Sequence, residues 1–295
     1  MLQLPVVERN IFIAVAAIYL VCSILAVIQL IRSAGKYRAM LISLVAIAVS
    51  LESVILVFRA VNIQAIPLTG LFESMIVLSI AFGLIFLFLS ITIHHVWFSS
   101  VMVWFIFFLT VLSALVASPA SKVDFLAETP WIVWHGLSMV LSGTSIAFSG
   151  CMAGLFLLTR RNLKLKKISR VIGKVPNIEK LAGLNVIGIK ASFAFLSFGL
   201  MSGIGLAVVK RAEISVSFYD WITDSKMILV IAAWLLLAVI LVLRHLVLRS
   251  RGVAIITLVT CFLIIFSIIG TSVFCSSEHD FSGYSHGTVN AGGLQ

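Results

Sequence analysis

The sequence predicts an all-α protein, a polytopic membrane bundle of about eight transmembrane helices with both termini outside. Three observations predict it. Hydrophobic residues make up 61% of the chain and charged residues 11%, where a soluble domain carries about 25% charged residues; the mean hydropathy is +1.20. The apolar residues form long continuous runs rather than the short alternating segments of a transmembrane β-barrel. Basic residues gather in alternate connections, as the positive-inside rule requires.

A helix rises 1.5 Å per residue, so crossing a hydrocarbon core about 30 Å thick takes ~20 apolar residues. Runs of that kind place spans at about 11–31, 39–59, 71–93, 98–118, 132–159, 183–209, 227–248 and 253–275. The first is too long for a cleavable signal, is flanked by Glu8 as well as Arg9, and lacks a small-residue cleavage site. Span two contains Glu52, and Glu73 stands near the outer end of span three. A bare carboxylate there is costly, so each reads either as a buried hydrogen-bonding group or as the lining of a route. His94 and His95 end span three on the inner side, as a solvated interfacial pair or as an inner receiving point. Span five opens with Thr129-Pro130-Trp131-Ile132-Val133-Trp134-His135. Span six contains Lys190, and span seven follows Phe218-Tyr219-Asp220-Trp221-Ile222-Thr223-Asp224-Ser225-Lys226. After span eight come Cys275-Ser276-Ser277-Glu278-His279 and a Ser/Gly-rich tail over 281–295, containing His286, that the composition predicts to be disordered. Residues 1–280 read as one membrane domain.

The charges orient the bundle. Arg32, Lys36 and Arg38 follow span one; Arg160, Arg161, Lys164, Lys166, Lys167, Arg170, Lys174 and Lys180 follow span five; Arg244, Arg249 and Arg251 surround the turn after span seven. The opposite side holds only Arg9, Arg59, Lys122, Lys210, Arg211 and Lys226. The net charge of +10 is therefore a topology signal in contact with lipid headgroups, and no nucleic acid is needed to explain it. Acids collect outside, at Asp124, Glu128, Glu213, Asp220, Asp224, Glu278 and Asp280. Cys22, Cys151, Cys261 and Cys275 show no CxxC or CxxCH pattern, which gives no zinc site, redox dithiol or covalent haem attachment. No P-loop and no convincing internal repeat is present.

Four landmarks, spread over about residues 59–280, resemble a known family. Pro67-Leu68-Thr69-Gly70-Leu71-Phe72-Glu73-Ser74 is similar to a P-L-[ST]-N-[LM]-Y-E-S segment, and Thr129-Pro130-Trp131 through His135 to S-P-W-x-x-x-H. Pro176-Asn177-Ile178-Glu179-Lys180-Leu181 resembles P-x-L-E-x-L, and His279 follows Gly270 at the family's spacing of nine residues. The family is that of the cytochrome c assembly proteins, CcsA/ResC-type haem-handling membrane proteins with HemX-like and YpjD-like relatives. The signature loop between spans six and seven is degenerate. Trp221, Asp224 and Lys226 match, while Thr223, Ser225 and Met227 replace the family's tryptophan, proline and glutamate. The family's inner histidine falls at Val242, with His245 about one turn beyond.

The resemblance implies non-covalent haem b in transit at the outer face of a bacterial cytoplasmic membrane. His135 and His279 would be the axial ligands of the iron, a role neutral imidazole commonly fills. Trp131, Trp134 and Trp221, with Phe218 and Tyr219, would wall the macrocycle; Lys226, with Lys210 and Arg211, would meet its propionates, and Asp224 belongs to the matched loop. It further implies presentation of haem to the CxxCH thiols of apocytochrome c, within a haem lyase complex that includes a ResB-type membrane partner. Two other readings stay open. One is a HemX-like or YpjD-like accessory protein in haem synthesis or membrane-protein support. The other is a secondary transporter for a small solute or metal, using Glu52, Glu73 and the histidines.

Overall fold

A computed structural model describes residues 4–32, 35–63, 70–117, 130–166, 175–209, 224–246 and 249–267. Every regular element among them is helical: α1 (Val6–Arg32), a 3-10 turn (Gly35–Tyr37), α2 (Arg38–Ile63), α3 (Leu71–Thr92), α4 (Val96–Leu115), α5 (Pro130–Lys164), α6 (Ile178–Val209), α7 (Ser225–Leu246) and α8 (Ser250–Ile265). Seven are long and apolar enough to span a bilayer. The eighth, α8, is apolar but has 16 residues, about 24 Å at 1.5 Å per residue; the rest of its expected span lies beyond Ser267, outside the described residues. The protein is a multi-pass membrane helical bundle, as the sequence predicts.

Successive helices run in opposite directions, which their end-to-end contacts show. Glu8 at the start of α1 meets Arg59 at the end of α2 and, through it, Glu73 at the start of α3. At the other end, Arg38 of α2 donates to the carbonyl of Ser90 in α3, and Ser100 of α4 donates to that of Ala26 in α1. Helices α1–α4 form one group, with α1 against α2 and α4, and α3 against α2 and α4. Helices α5–α8 form the second, and α5 also touches α3 and α4.

Each group is built from narrow buried stripes. In α1 the stripe is Glu8, Phe12, Val15, Tyr19, Cys22, Ala26 and Gln29; in α2 it is Leu41, Val45, Ala48, Glu52, Ile55 and Arg59. Alternating steps of three and four are the seam spacing of helices crossing at a shallow angle. The opposite faces carry exposed large apolar residues such as Ile24, Phe58, Phe88 and Phe198, as expected where acyl chains are the solvent.

Helix α5 is the most enclosed, and its composition explains why. Ser138, Ser142, Ser145 and Ser149 recur at steps of four, three and four, facing Asn185, Gly188, Ser192, Gly199 and Gly203 of α6. Small residues let the two backbones approach, and the hydroxyls find partners across the seam. Ser142 Oγ lies 3.1 Å from the Ser192 carbonyl and hydroxyl, and Ser149 Oγ lies 2.7 Å from the Asn185 carbonyl. A β-carbon on Gly188 would stand 2.8 Å from Ser149 Cβ and 2.9 Å from the Ser145 carbonyl oxygen, so this position requires glycine. Between the two groups, Leu84 and Phe88 of α3, Phe148 of α5 and Ile187 and Ala191 of α6 line an apolar groove of about 480 Å³.

Candidate functional site

The end of the bundle that carries the starts of α1, α3, α5 and α7 holds two polar constellations. The first is built around His135, one turn and a half into α5. Its ring packs against α6, where Gly203 leaves the space: a β-carbon there would be 3.1 Å from both Cε1 and Nδ1. Nδ1 lies 2.8 Å from the carbonyl oxygen of Gly199. A carbonyl only accepts, so Nδ1 carries the proton and the lone pair of the neutral ring is on Nε2. A metal-ligating histidine is commonly fixed this way, its other ring nitrogen donating to a backbone carbonyl. One turn earlier, the Trp131 indole lies over Gly205, where a β-carbon would meet it at 3.0 Å. Trp131 is 44% exposed and Trp134 is 64% exposed. The two tryptophans thus differ: Trp131 packs on α6 at Gly205, while Trp134 projects to the outside of the bundle.

Asp224 and Lys226 stand at the start of α7. Asp224 is buried, and its Oδ1 accepts the Lys226 N–H at 2.8 Å while its carbonyl accepts the Ile228 N–H at 3.0 Å. This is N-cap geometry, which gives Asp224 a local structural task. The Lys226 carbonyl accepts from Ser267 Oγ at 3.4 Å, tying the start of α7 to the end of α8. Trp234, two turns on, donates from Nε1 to Ser197 Oγ at 2.9 Å and stacks on Phe193 with ring centroids 5.6 Å apart, which fixes α7 against α6. His279 and Trp221 lie outside the described residues, as do Phe218, Tyr219, Lys210, Arg211, His286, the tail 281–295 and the side chain of His245. Of the residues expected at a haem site, the described ones are an imidazole whose Nδ1 is held by a carbonyl, an indole packed on α6 and, at the start of α7, Lys226. At the far end, the exposed His94 has Nε2 2.9 Å from the Ile91 carbonyl oxygen, and His95 stands at the N-cap position of α4 without a side-chain cap. Among the described residues, no group of three or more His, Cys, Asp or Glu gathers to hold a metal ion.

The second constellation went unrecognised in the sequence. Arg59, assigned there to the outer charge inventory, is 0% exposed and lies between two carboxylates. Its Nε is 2.9 Å from Glu8 Oε2, its Nη1 pairs with Glu73 Oε1, and its guanidinium carbon sits 4.5 Å from the centroid of the Phe72 ring. Seven residues earlier on the same stripe, Glu52 accepts from Tyr19 at 3.1 Å and from Ser79 at 2.8 Å. Glu52 and Glu73 are therefore buried, hydrogen-bonded groups inside the first helical group. The signal available was positional: Glu8, Glu52 and Arg59 fall on the apolar stripes of α1 and α2, where a charge needs a partner.

No family model, curated protein or solved structure matches this chain.

Proposed function

We propose that this protein handles haem at the His135 end of the bundle and presents it for covalent attachment to apocytochrome c. The observation that carries the reading is the His135–Gly199 hydrogen bond, which sets the ring with its lone pair on Nε2, the form that ligates iron. When bound, haem supplies the vinyl groups to which cysteine thiols add. The chain's own contribution is positional. His135 would hold the iron, and His279 would supply a second ligand. The histidines would hold the iron, and the aromatic and cationic contacts would limit how the bound group turns; orientation of reacting groups is worth several orders of magnitude in rate. Trp131 would cover one edge, with Trp134 and Trp221 at its margin, and Lys226 would offer a cation to a propionate. A ResB-type partner and the outer leaflet of a bacterial cytoplasmic membrane complete the proposal.

The reduced-minus-oxidised absorption spectrum of the purified protein tests this. A b-type signal is expected in the native protein, lost in His135→Ala and in His279→Ala, and restored to each variant by imidazole. A native protein without haem after reconstitution with haem would overturn the reading. A second reading, transport of a small solute, draws support from the buried Glu8–Arg59–Glu73 cluster with Glu52, since ionisable groups within spans often mark a pathway. Solute uptake into proteoliposomes that is abolished by Glu52→Gln, with haem binding intact, would favour it.

A further inference from the structure

The opposite, basic end of the bundle encloses a cavity of about 220 Å³ between α5, α6, α7 and α8. Three of its lining residues are hydrogen-bond donors: Arg244, two residues from the end of α7; Asn185, in the second turn of α6; and Ser250, the first residue of α8. Phe156, Val186 and Val253 give it apolar walls. Asn185 is buried, its Oδ1 lies 2.5 Å from Ser149 Oγ, and its side-chain amide carries two N–H donors. Among the described residues, no carboxylate lines the cavity. A guanidinium, an amide and a hydroxyl around one space form a donor set for a compact anion with several acceptor oxygens, and arginine matches phosphate in a bidentate manner. The start of α8 adds a favourable field, because its cap residue, Arg249, makes no side-chain cap and the first-turn N–H groups face that end.

Depth identifies the source of the anion. The cavity sits one to two turns inside the ends of α5 and α6, which continue past it to Lys164 and from Ile178. In a bilayer crossed by helices of this length that level would fall near the boundary of headgroups and acyl chains, and the exposed Arg161, Lys164, Lys180, Arg249 and Arg251 give the surrounding surface a positive potential. We propose that this cavity binds a phosphate group, and that its occupant is the headgroup phosphate of an anionic phospholipid. The inference does not depend on haem.

The test is titration of phosphatidylglycerol, phosphatidylcholine and inorganic phosphate into the full-length protein in a neutral detergent, read by native mass spectrometry. Phosphatidylglycerol should bind in preference to phosphatidylcholine. Arg244→Gln and Asn185→Leu should each weaken it about 10- to 100-fold, the loss of a charge-assisted or buried hydrogen bond. Arg9→Gln, exposed at the opposite end of the bundle, should leave it unchanged, and Arg244→Lys, which keeps the charge and loses the planar fork, should weaken it several-fold in a protein that still folds. Phosphatidylglycerol binding that Arg244→Gln, Asn185→Leu and Arg244→Lys all leave equal to that of the native protein would overturn the site. Binding of inorganic phosphate with the same residue dependence, and no lipid preference, would overturn the lipid occupant.

Discussion

Arg59 is held by two acids and an aromatic face, all buried, so its loss is felt through what it leaves behind. Arg59→Met strands two carboxylates in an apolar interior, a change of the kind that costs about 3–5 kcal/mol. We predict a large fall in the thermal unfolding midpoint in detergent. The triple variant Glu8→Gln, Arg59→Met, Glu73→Gln removes the stranded charge and should recover most of that fall; a triple variant no more stable than Arg59→Met would refute the pairing. At His135 the prediction concerns space rather than charge. Gly203→Leu drives a side chain into the ring at a position where a β-carbon alone already lies at 3.1 Å. It should abolish haem retention with the bundle still folded, and added imidazole should restore the spectrum. At this scale the sequence made single residues legible but not their pairs. Glu8, Arg59 and Glu73 stand 51 and 14 residues apart in the chain, and only the order in which α1, α2 and α3 surround one another brings them together.

Helix α5 meets α6 along a seam of serines and glycines, and the seam makes opposite demands at neighbouring glycines. Gly188→Leu forces α5 and α6 apart, since both Ser149 and the Ser145 carbonyl already lie at the limit of approach. Overpacking of this kind typically costs about 1–3 kcal/mol. Gly183, one and a half turns earlier in α6, has nothing within 4 Å of a β-carbon. Gly183→Ala should be neutral or stabilise by up to about 1 kcal/mol through helix propensity. Thermal midpoints measured side by side check both, and a similar loss at the two positions would count against the seam. The spans were readable as elements because length and hydropathy report the bilayer directly. Their ends were less so: α5 runs on to Lys164 rather than stopping near 159, because Arg160, Arg161 and Lys164 favour helix and carry it out of the apolar layer. The degree of enclosure of α5 also escaped the hydropathy pattern, since its small polar residues look like weak membrane formers until a partner helix satisfies them.

For the whole molecule, the charge asymmetry makes a prediction about sides. With Cys275 replaced by serine, the other cysteines are buried in helices, so engineered thiols report topology. Ala117→Cys, after α4, should react with a membrane-impermeant maleimide in intact cells, and Leu165→Cys, after α5, only once the membrane is opened. The reverse pattern would invert the bundle. Positive-inside reasoning reaches this far because it sums many residues; the haem proposal rests on a few, and two of the most important, His279 and Trp221, lie outside the described residues.

The α5–α6 seam has one more consequence. Along α6, Gly199 anchors His135 at one end while Asn185 lines the basic cavity at the other; along α5, His135 and Phe156 play the corresponding parts. The two sites are thus separated by about 21 to 32 Å of the same helix pair, and a sliding or tilting of one helix against the other reshapes both. Were the pair to have two registers, a ligand that favoured one of them at either end would change the affinity for a ligand at the other, by a factor identical in both directions.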